Sequence, residues 1–333
     1  MAATLLSGAA FGAALTASGV SHPFTIVSQF HLRNWHMLEV FVAAVASSTF
    51  VVSVLRRIGH VKMSPRGYNT LGLFFCDGNA IGGALLGTGM ALAGACPGTV
   101  LAQVGAGVQS GYFTMIGAIL AGIVWAGFLK PFSRPLAGIT GNPKVPRYLT
   151  IHNGLGLKRT TTIMIVEAIY ISSLCGMELF TSPGPRTNIP PPAGGLLIGL
   201  AQLFSILTRK ALLGASMVYE DVGSLFWRAM PGFEGREKPQ SWNSIIFTVG
   251  TISGACTLSF VFSPFENLPS LFIPFEHAMI GGFLIVLGSR IAGGCTSGHG
   301  ISGMSLLSIS SVITIGTAMM AGFLTRHFVR DEF

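Results

Sequence analysis

Charge is what this sequence has least of. Only 10% of its 333 residues are charged, whereas 50% are hydrophobic and the mean hydropathy is +0.64. Soluble globular domains carry about 25% charged residues. The composition therefore excludes an ordinary soluble domain, and it predicts an all-α, polytopic membrane protein that has the lipid bilayer as its surroundings.

Three further absences narrow the class of protein. The chain has five cysteines, an odd number, and no Cys-x-x-Cys pair, which argues against a disulfide framework. No basic segment precedes the first apolar stretch, so we expect this stretch to be retained as a helix. No basic, aromatic-bearing soluble module is present, and this excludes nucleic acid as a partner.

Acidic residues are missing from the two linkers that hold much of the positive charge. The net charge is +8, and the segments 56–66 and 130–159 contain no Asp or Glu. The positive-inside rule predicts that both linkers are cytoplasmic. Their basic residues are Arg56, Arg57, Lys62 and Arg66 in the first, and Lys130, Arg134, Lys144, Arg147, Lys158 and Arg159 in the second.

What the chain does have is glycine, 44 residues of it, arranged in two matching segments. A Gly-Gly run at 82–89 leads into Ala-Gly-Ala-Cys-Pro-Gly, and a second run at 281–288 leads into Ala-Gly-Gly-Cys-Thr-Ser-Gly. One offset of 199 residues maps Gly89 onto Gly288 and Cys96 onto Cys295. Duplicated halves with interrupted apolar segments at matching positions are typical of the binding site of a transporter.

Hydropathy predicts about nine transmembrane helices. A spanning helix needs roughly 20 mainly apolar residues. Four shorter apolar pieces, at 21–35, 96–109, 211–227 and 295–305, are predicted to be re-entrant half-helices, which a membrane tolerates where protein or a cavity surrounds them. The predicted spans are 2–20, 37–55, 70–92, 111–129, 161–180, 194–208, 241–263, 271–290 and 306–325.

The order of these spans predicts the domain organisation. Residues 1–130 form a first transmembrane repeat and residues 194–333 a second. Residues 131–193 hold the basic cytoplasmic linker, one connecting helix and a Pro-rich loop at 181–193, which we expect to be external. Four spans precede the basic linker and one follows it, so the second repeat enters the membrane from the opposite side. The repeat is therefore predicted to be inverted.

The duplicated cysteines are the strongest candidate site. Pro97 suits the first helical turn, so Cys96 is predicted at the helix N-cap, and Cys295 is predicted to begin a helix in the same way. A helix N-terminus presents unpaired N–H groups and attracts anions. The competing interpretation is a glycine-rich turn with cysteine as a small filler. Cys175 and Cys256, which lie in apolar helices and are not duplicated, are predicted to be small, inert core residues.

Other polar residues in apolar surroundings allow more than one interpretation. His299 follows Cys295 by four residues, but the first repeat has no matching histidine, so we expect neither a metal nor a cofactor. Arg290 could neutralise an anion or pair with an acid such as Glu276. The role of Cys76 is left open, because the acidic Asp77 adjoins it. Three histidines after the first helix could line a pathway or lie at the membrane interface. These are His22, His31 and His36.

At the two cysteine motifs the chain resembles the YeeE/YedE sulfur-transport family. The resemblance implies thiosulfate uptake through two hourglass-like cavities that meet at a thin constriction, where cysteines pass the anion along. Two family cysteines map onto Cys96 and Cys295. The third lies in a Ser-Gly-x-Cys motif, which here reads Ser18-Gly19-Val20-Ser21, so Ser21 stands in its place. In the second repeat, the segment Gly214-Ala215-Ser216 is a weaker match to Gly19-Val20-Ser21. The serine keeps sulfite, sulfate and selenium oxyanions open as substrates.

The resulting hypothesis is a permease in the cell membrane with no catalytic residues. A membrane-embedded sulfurtransferase that uses a cysteine persulfide, and a passive channel for small solutes, stay open as alternatives. The sequence leaves open the driving force, the oligomeric state and whether a cytosolic sulfur-carrier protein docks on the basic linkers. The predicted pathway residues are Ser21, Gly94, Cys96, Gly98, Arg290, Gly293, Gly294, Cys295, Thr296, Ser297 and His299.

Overall fold

Regular structure in this protein is helical throughout the part that the structure describes. The computed structural model describes residues 1–32, 34–130, 148–180, 187–231, 241–262 and 268–329. Within these ranges a single isolated bridge, between Thr150 and Ser308, is the one extended pairing. The predicted all-α class is confirmed. Much of the predicted basic linker (131–147) and half of the Pro-rich loop (181–186) lie outside the described residues.

Within the described ranges, most helices fall into two sets of six around one long connecting helix. The first set is α1 (Ala2–Ala17), α2 (Pro23–Phe30), α3 (His36–Arg57), α4 (Asp77–Ala93), α5 (Pro97–Gly105) and α6 (Gln109–Val124), which continues as π1 (Trp125–Leu129). A short α7 (Ile151–Leu155) and the connecting α8 (Arg159–Phe180) follow. The second set is α9 (Pro191–Arg209), α10 (Met217–Ala229), α11 (Asn243–Val261), α12 (Phe275–Ala292), π2 (Thr296–Gly303) and α13 (Ile309–Phe328).

Eight helical segments of the described chain are long and apolar enough to cross a membrane. The apolar helix α1 has 16 residues and is shorter than a usual span. Each of the nine predicted spans corresponds to one of these nine helices, and each predicted half-helix corresponds to α2, α5, α10 or π2. The chain is a multi-pass integral membrane protein.

One predicted boundary is wrong. Hydropathy starts the third span at residue 70, but α4 begins at Asp77. The Asp77 carboxylate accepts the N–H groups of Leu71 at 2.7 Å and Leu73 at 2.6 Å, and this folds the preceding apolar residues into a loop over the helix start. Burial and the neighbouring Asp77 raise the pKa of the Cys76 thiol, just outside this helix, to about 11. Cys76 therefore stays protonated at neutral pH.

The helix pairing is unchanged when the two sets are exchanged. Counted in chain order, α1, α3, α4 and α6 of the first set correspond to α9, α11, α12 and α13 of the second. Helix α1 packs on α11, and its counterpart α9 packs on α3. Helix α4 packs on α13, and its counterpart α12 packs on α6. Helix α4 also crosses its own counterpart, α12. Asn79, at the start of α4, donates to the carbonyl of Ala292 at the end of α12, so the two helices are antiparallel. An inverted repeat requires this arrangement; the domain boundaries themselves stay a prediction.

The duplicated glycines lie where α4 and α12 cross. A Cβ atom at Gly82 would lie 2.6 Å from the carbonyl oxygen of Gly288, and one at Gly288 would lie 2.5 Å from that of Gly82. Gly89 and Gly281 meet in the same way, at 2.6 and 2.8 Å. Small residues let membrane helices approach until their backbones touch. The repeated glycine run is therefore a packing surface that holds the two cysteine motifs close together.

Candidate functional site

Both cysteines lie where a long helix breaks. Helix α4 ends at Gly94, with φ +58°, and α12 ends at Gly293, with φ +80°. Glycine adopts this left-handed conformation without steric cost, so each helix can stop sharply. After each break the chain enters a short helix, and Cys96 and Cys295 occupy the N-cap positions of α5 and π2. The predicted N-cap placement is confirmed.

The two thiols are held by different local bonds. Cys96 Sγ accepts the N–H of Thr99 at 3.4 Å, and Thr99 Oγ1 accepts the N–H of Cys96 at 2.6 Å, a reciprocal capping box. Cys295 makes no capping box of this kind, because the third residue after it is Gly298, which has no side chain to accept the Cys295 N–H. Its Sγ lies 3.1 Å from Ser297 Oγ and contacts the Ser216 hydroxyl at the start of α10. π-helical turns are frequent at functional sites.

A partly open cavity joins the two motifs. It has a volume of about 60 Å³, and its wall includes Cys96, Gly98 and Thr99 from the first motif and Thr296 and Ser297 from the second. The remaining wall is mainly apolar. It consists of Phe11, Leu15, Val20, Gln29, Met37, Leu38, Val40, Phe41, Ala44, Met90, Ile198, Ile301, Ile315, Ala318 and Met319.

Buried polar atoms without partners lie around this cavity. Gln29 Nε2 and Thr296 Oγ1, both on wall residues, make no hydrogen bond to the described part of the chain. The same holds for the Oγ of Ser21, which is 0% exposed and follows the wall residue Val20. Buried polar atoms are nearly always hydrogen-bonded in folded proteins. Gln29 and Thr296 therefore have polar atoms free for a polar ligand or water in the cavity, and Ser21, which is not a wall residue, has a free hydroxyl next to the cavity wall in sequence.

Arg290 pairs with an acid, but not with the one named from the sequence. Its Nη1 lies 3.0 Å from Glu220 Oε2, and its Nη2 donates to Ser216 Oγ at 2.6 Å. Glu220 also binds Lys130, at 2.8 Å. The Ser216 hydroxyl thus lies between Arg290 and Cys295, and the positive charge of Arg290 is partly balanced by the Glu220 carboxylate.

His299 links helices. Its Nε2 donates to the carbonyl of Ala292 at 3.0 Å, and its Nδ1 therefore accepts from Ser311 Oγ at 2.9 Å. His36 holds another turn, since its Nε2 donates to the carbonyl of Ser18 at 2.8 Å. Among the described residues no three His, Cys, Asp or Glu side chains come together as metal ligands.

Sequence reasoning misses two residues at the site. Tyr219 of α10 is buried, donates its hydroxyl proton to the carbonyl of Pro97 at 2.9 Å, and lies within electrostatic range of both Cys96 and Cys295. Arg66, which charge patterning relates to membrane topology alone, donates from Nη1 to the carbonyl of Gly293 at 3.0 Å. No local pattern marks either residue, because each contact joins distant parts of the chain.

A bundle of membrane-spanning helices with two broken helices that meet at a cavity has the architecture of a membrane transporter. The chain belongs to the sulphur transport family, whose sequence profile matches residues 17–325.

Individual relatives agree with this assignment. The chain is 28% identical to the thiosulfate transporter TsuA of Spirochaeta thermophila, over 97% of this chain and 98% of that protein. Two proteins of Xylella fastidiosa strains, named as probable transporters, are 29% and 28% identical over 42% of this chain and 93% of their own lengths. The protein is therefore a transporter and not an enzyme.

Proposed function

We propose that this protein carries thiosulfate, or a closely related sulfur anion, across the cell membrane through a constriction formed around Cys96 and Cys295. The observation that carries the proposal is a cavity whose wall includes residues of both cysteine motifs. The full-length similarity to a protein named as a thiosulfate transporter supports the choice of anion.

The chemistry of the cavity suits a soft anion that must be released again. Thiosulfate carries two charges and a terminal sulfur, which weakly donating thiols can contact. The N–H groups at the starts of α5 and π2, with the unpaired Gln29 amide and Thr296 hydroxyl, can hold its oxygens. The wall residues carry no charge. An uncharged wall keeps binding weak enough for the anion to leave, as conduction requires.

The sulfurtransferase alternative needs a base beside a nucleophilic thiol. His299 is the histidine of the second motif, and both of its ring nitrogens are already hydrogen-bonded. This favours passage of the anion over covalent capture. A cytosolic sulfur-carrier protein that docks on the basic linkers would receive the anion after passage, and that partner is part of the proposal.

Uptake of labelled thiosulfate into proteoliposomes of the purified protein tests the proposal. We expect uptake that grows with time, saturates, and is suppressed by excess unlabelled thiosulfate, with empty liposomes as the control. Label bound covalently to the protein without accumulation inside the vesicles would contradict transport and favour the sulfurtransferase.

A further inference from the structure

We propose that Arg66 and Cys295 form a second anion-binding station, on the side of the constriction that faces the linker 58–76, and that Arg66 selects divalent over monovalent anions there. The inference rests on the proposed function and adds to it the residue that recognises the charge of the substrate. Sequence patterns assign Arg66 no role beyond membrane orientation.

Gly298 lies between the guanidinium group of Arg66 and the thiol of Cys295. A Cβ atom built on Gly298 would lie 3.1 Å from Arg66 Nη2 and 3.7 Å from Cys295 Sγ. Both groups therefore pack against the same face of this glycine, and no side chain at position 298 separates them. An anion with a sulfur at one end and oxygens at the other can be bound by a thiol and a guanidinium group together.

The charge of Arg66 is available to a ligand. Its one hydrogen bond from the guanidinium group to a described residue is the bond from Nη1 to the neutral carbonyl of Gly293. Neither of the two described ion pairs includes Arg66. Arg290, the other arginine near Cys295, pairs with Glu220, a carboxylate that it shares with Lys130. Arg66 is thus a cation beside Cys295 that belongs to neither described ion pair and has the Nη2 group left to donate to an oxyanion.

The backbone of Arg66 is fixed against the second motif. Its N–H donates to Ser308 Oγ at 2.9 Å, and its carbonyl accepts from Ser310 Oγ at 3.2 Å. Ser308 is the N-cap of α13, and Ser310 lies in its first turn. These bonds hold the linker at the site, so the guanidinium group is pre-positioned next to Cys295, and a pre-positioned donor loses little entropy when it binds.

The order of groups along the proposed route explains the selectivity. The cavity wall is uncharged, so an anion meets the Cys96 thiol and neutral donors first. It reaches the guanidinium group of Arg66 only beside Cys295. A second negative charge on the anion strengthens its attraction to the Arg66 guanidinium group, but not its contacts with the uncharged cavity wall. Thiocyanate, which has a soft sulfur but one charge, should therefore compete poorly with thiosulfate.

Arg66→Gln in the full-length protein tests the inference, with the exposed Lys62→Gln of the same linker as the matched control. Arg66→Gln should raise the KM for thiosulfate about tenfold, the lower range for loss of a charge-assisted bond, because Arg66 is partly exposed. It should also make thiocyanate a better competitor relative to thiosulfate. Lys62→Gln should change neither value. An unchanged KM and an unchanged competition ratio in a folded Arg66→Gln protein would overturn the inference.

Two further variants keep the test decisive if Arg66→Gln does not fold. Arg66→His carries a charge that is lost as the pH rises past about 6.5, so its KM for thiosulfate should rise between about pH 5.5 and 8 more than the wild-type KM does. Gly298→Ala places a methyl group 3.1 Å from Arg66 Nη2 and 3.7 Å from Cys295 Sγ without altering charge, so it should separate the two groups and reduce uptake. Gly316→Ala, which meets no atom within 4 Å, should not reduce uptake. A pH response equal to wild type and normal uptake by Gly298→Ala would each contradict the station. Absence of thiosulfate uptake by the wild-type protein would instead contradict the proposed function.

Discussion

The two roles of Cys96 can be separated by comparing Cys96→Ser with Cys96→Ala. The thiol caps α5 by accepting the N–H of Thr99, and it also forms part of the cavity wall. Serine is a preferred N-cap residue, so Cys96→Ser keeps the cap, whereas Cys96→Ala removes it. Serine cannot supply the polarisable sulfur that thiosulfate would contact.

The expected magnitudes differ for stability and transport. Loss of an N-cap bond costs about 1 kcal/mol, and in a chain of this size that lowers the melting temperature by about 2–4 °C or less. Cys96→Ala should show this decrease, and Cys96→Ser should match the wild-type protein or exceed it. Both variants should lose most thiosulfate uptake, because neither has a sulfur in the wall.

Thermal unfolding of the purified variants and thiosulfate uptake by proteoliposomes measure the two effects separately. Cys175→Ser, on the exposed face of α8, controls for the loss of a thiol as such. Wild-type uptake by Cys96→Ser would refute the reasoning, because it would show that a hydroxyl serves as well as a thiol and that the contact with substrate sulfur does not matter.

The other predictions concern Ser21, the topology and the helix crossing. Ser21→Cys should preserve transport, Ser21→Ala should lose a donor and weaken apparent affinity several-fold, and Ser21→Leu should block uptake; normal uptake by Ser21→Leu would place Ser21 off the pathway. A single cysteine at position 144 should resist an impermeant thiol reagent added to intact cells, and labelling from outside would reverse the proposed orientation. Gly82→Leu should prevent stable folding, because its side chain meets the backbone of α12, whereas Gly154→Leu should express normally, as a Cβ there meets no atom closer than 3.8 Å.

Much of the fold is predictable from local patterns. Apolar runs long enough to cross a membrane locate every long helix, since backbone groups in lipid must be satisfied within the helix. The start of α4 is not predicted by hydropathy, because residues 70–76 are apolar enough to continue a span. The Asp77 carboxylate accepts hydrogen bonds from N–H groups in this segment, so the helix begins only at Asp77, and a hydropathy average is insensitive to one such side chain.

The candidate site is predictable only where it is duplicated. The offset that relates Cys96 to Cys295 is visible in the sequence, and it indicates both N-caps. Arg66 and Tyr219 carry no such signal, because they reach the motifs from a linker and from α10. The partner of Arg290 is hidden for the same reason. Glu220 is distant from Arg290 in sequence, and it becomes a neighbour only when α10 packs beside the break after α12.

The most direct test of the account is thiosulfate uptake by four single Cys→Ala variants in proteoliposomes of equal protein content. Cys96→Ala and Cys295→Ala should abolish or strongly reduce uptake, because their thiols belong to the motifs that meet at the cavity. Cys175→Ala and Cys256→Ala, whose cysteines are exposed and half-buried, should retain it. Equal losses in all four variants, or normal uptake by Cys96→Ala and Cys295→Ala, would contradict a pathway lined by the duplicated cysteines.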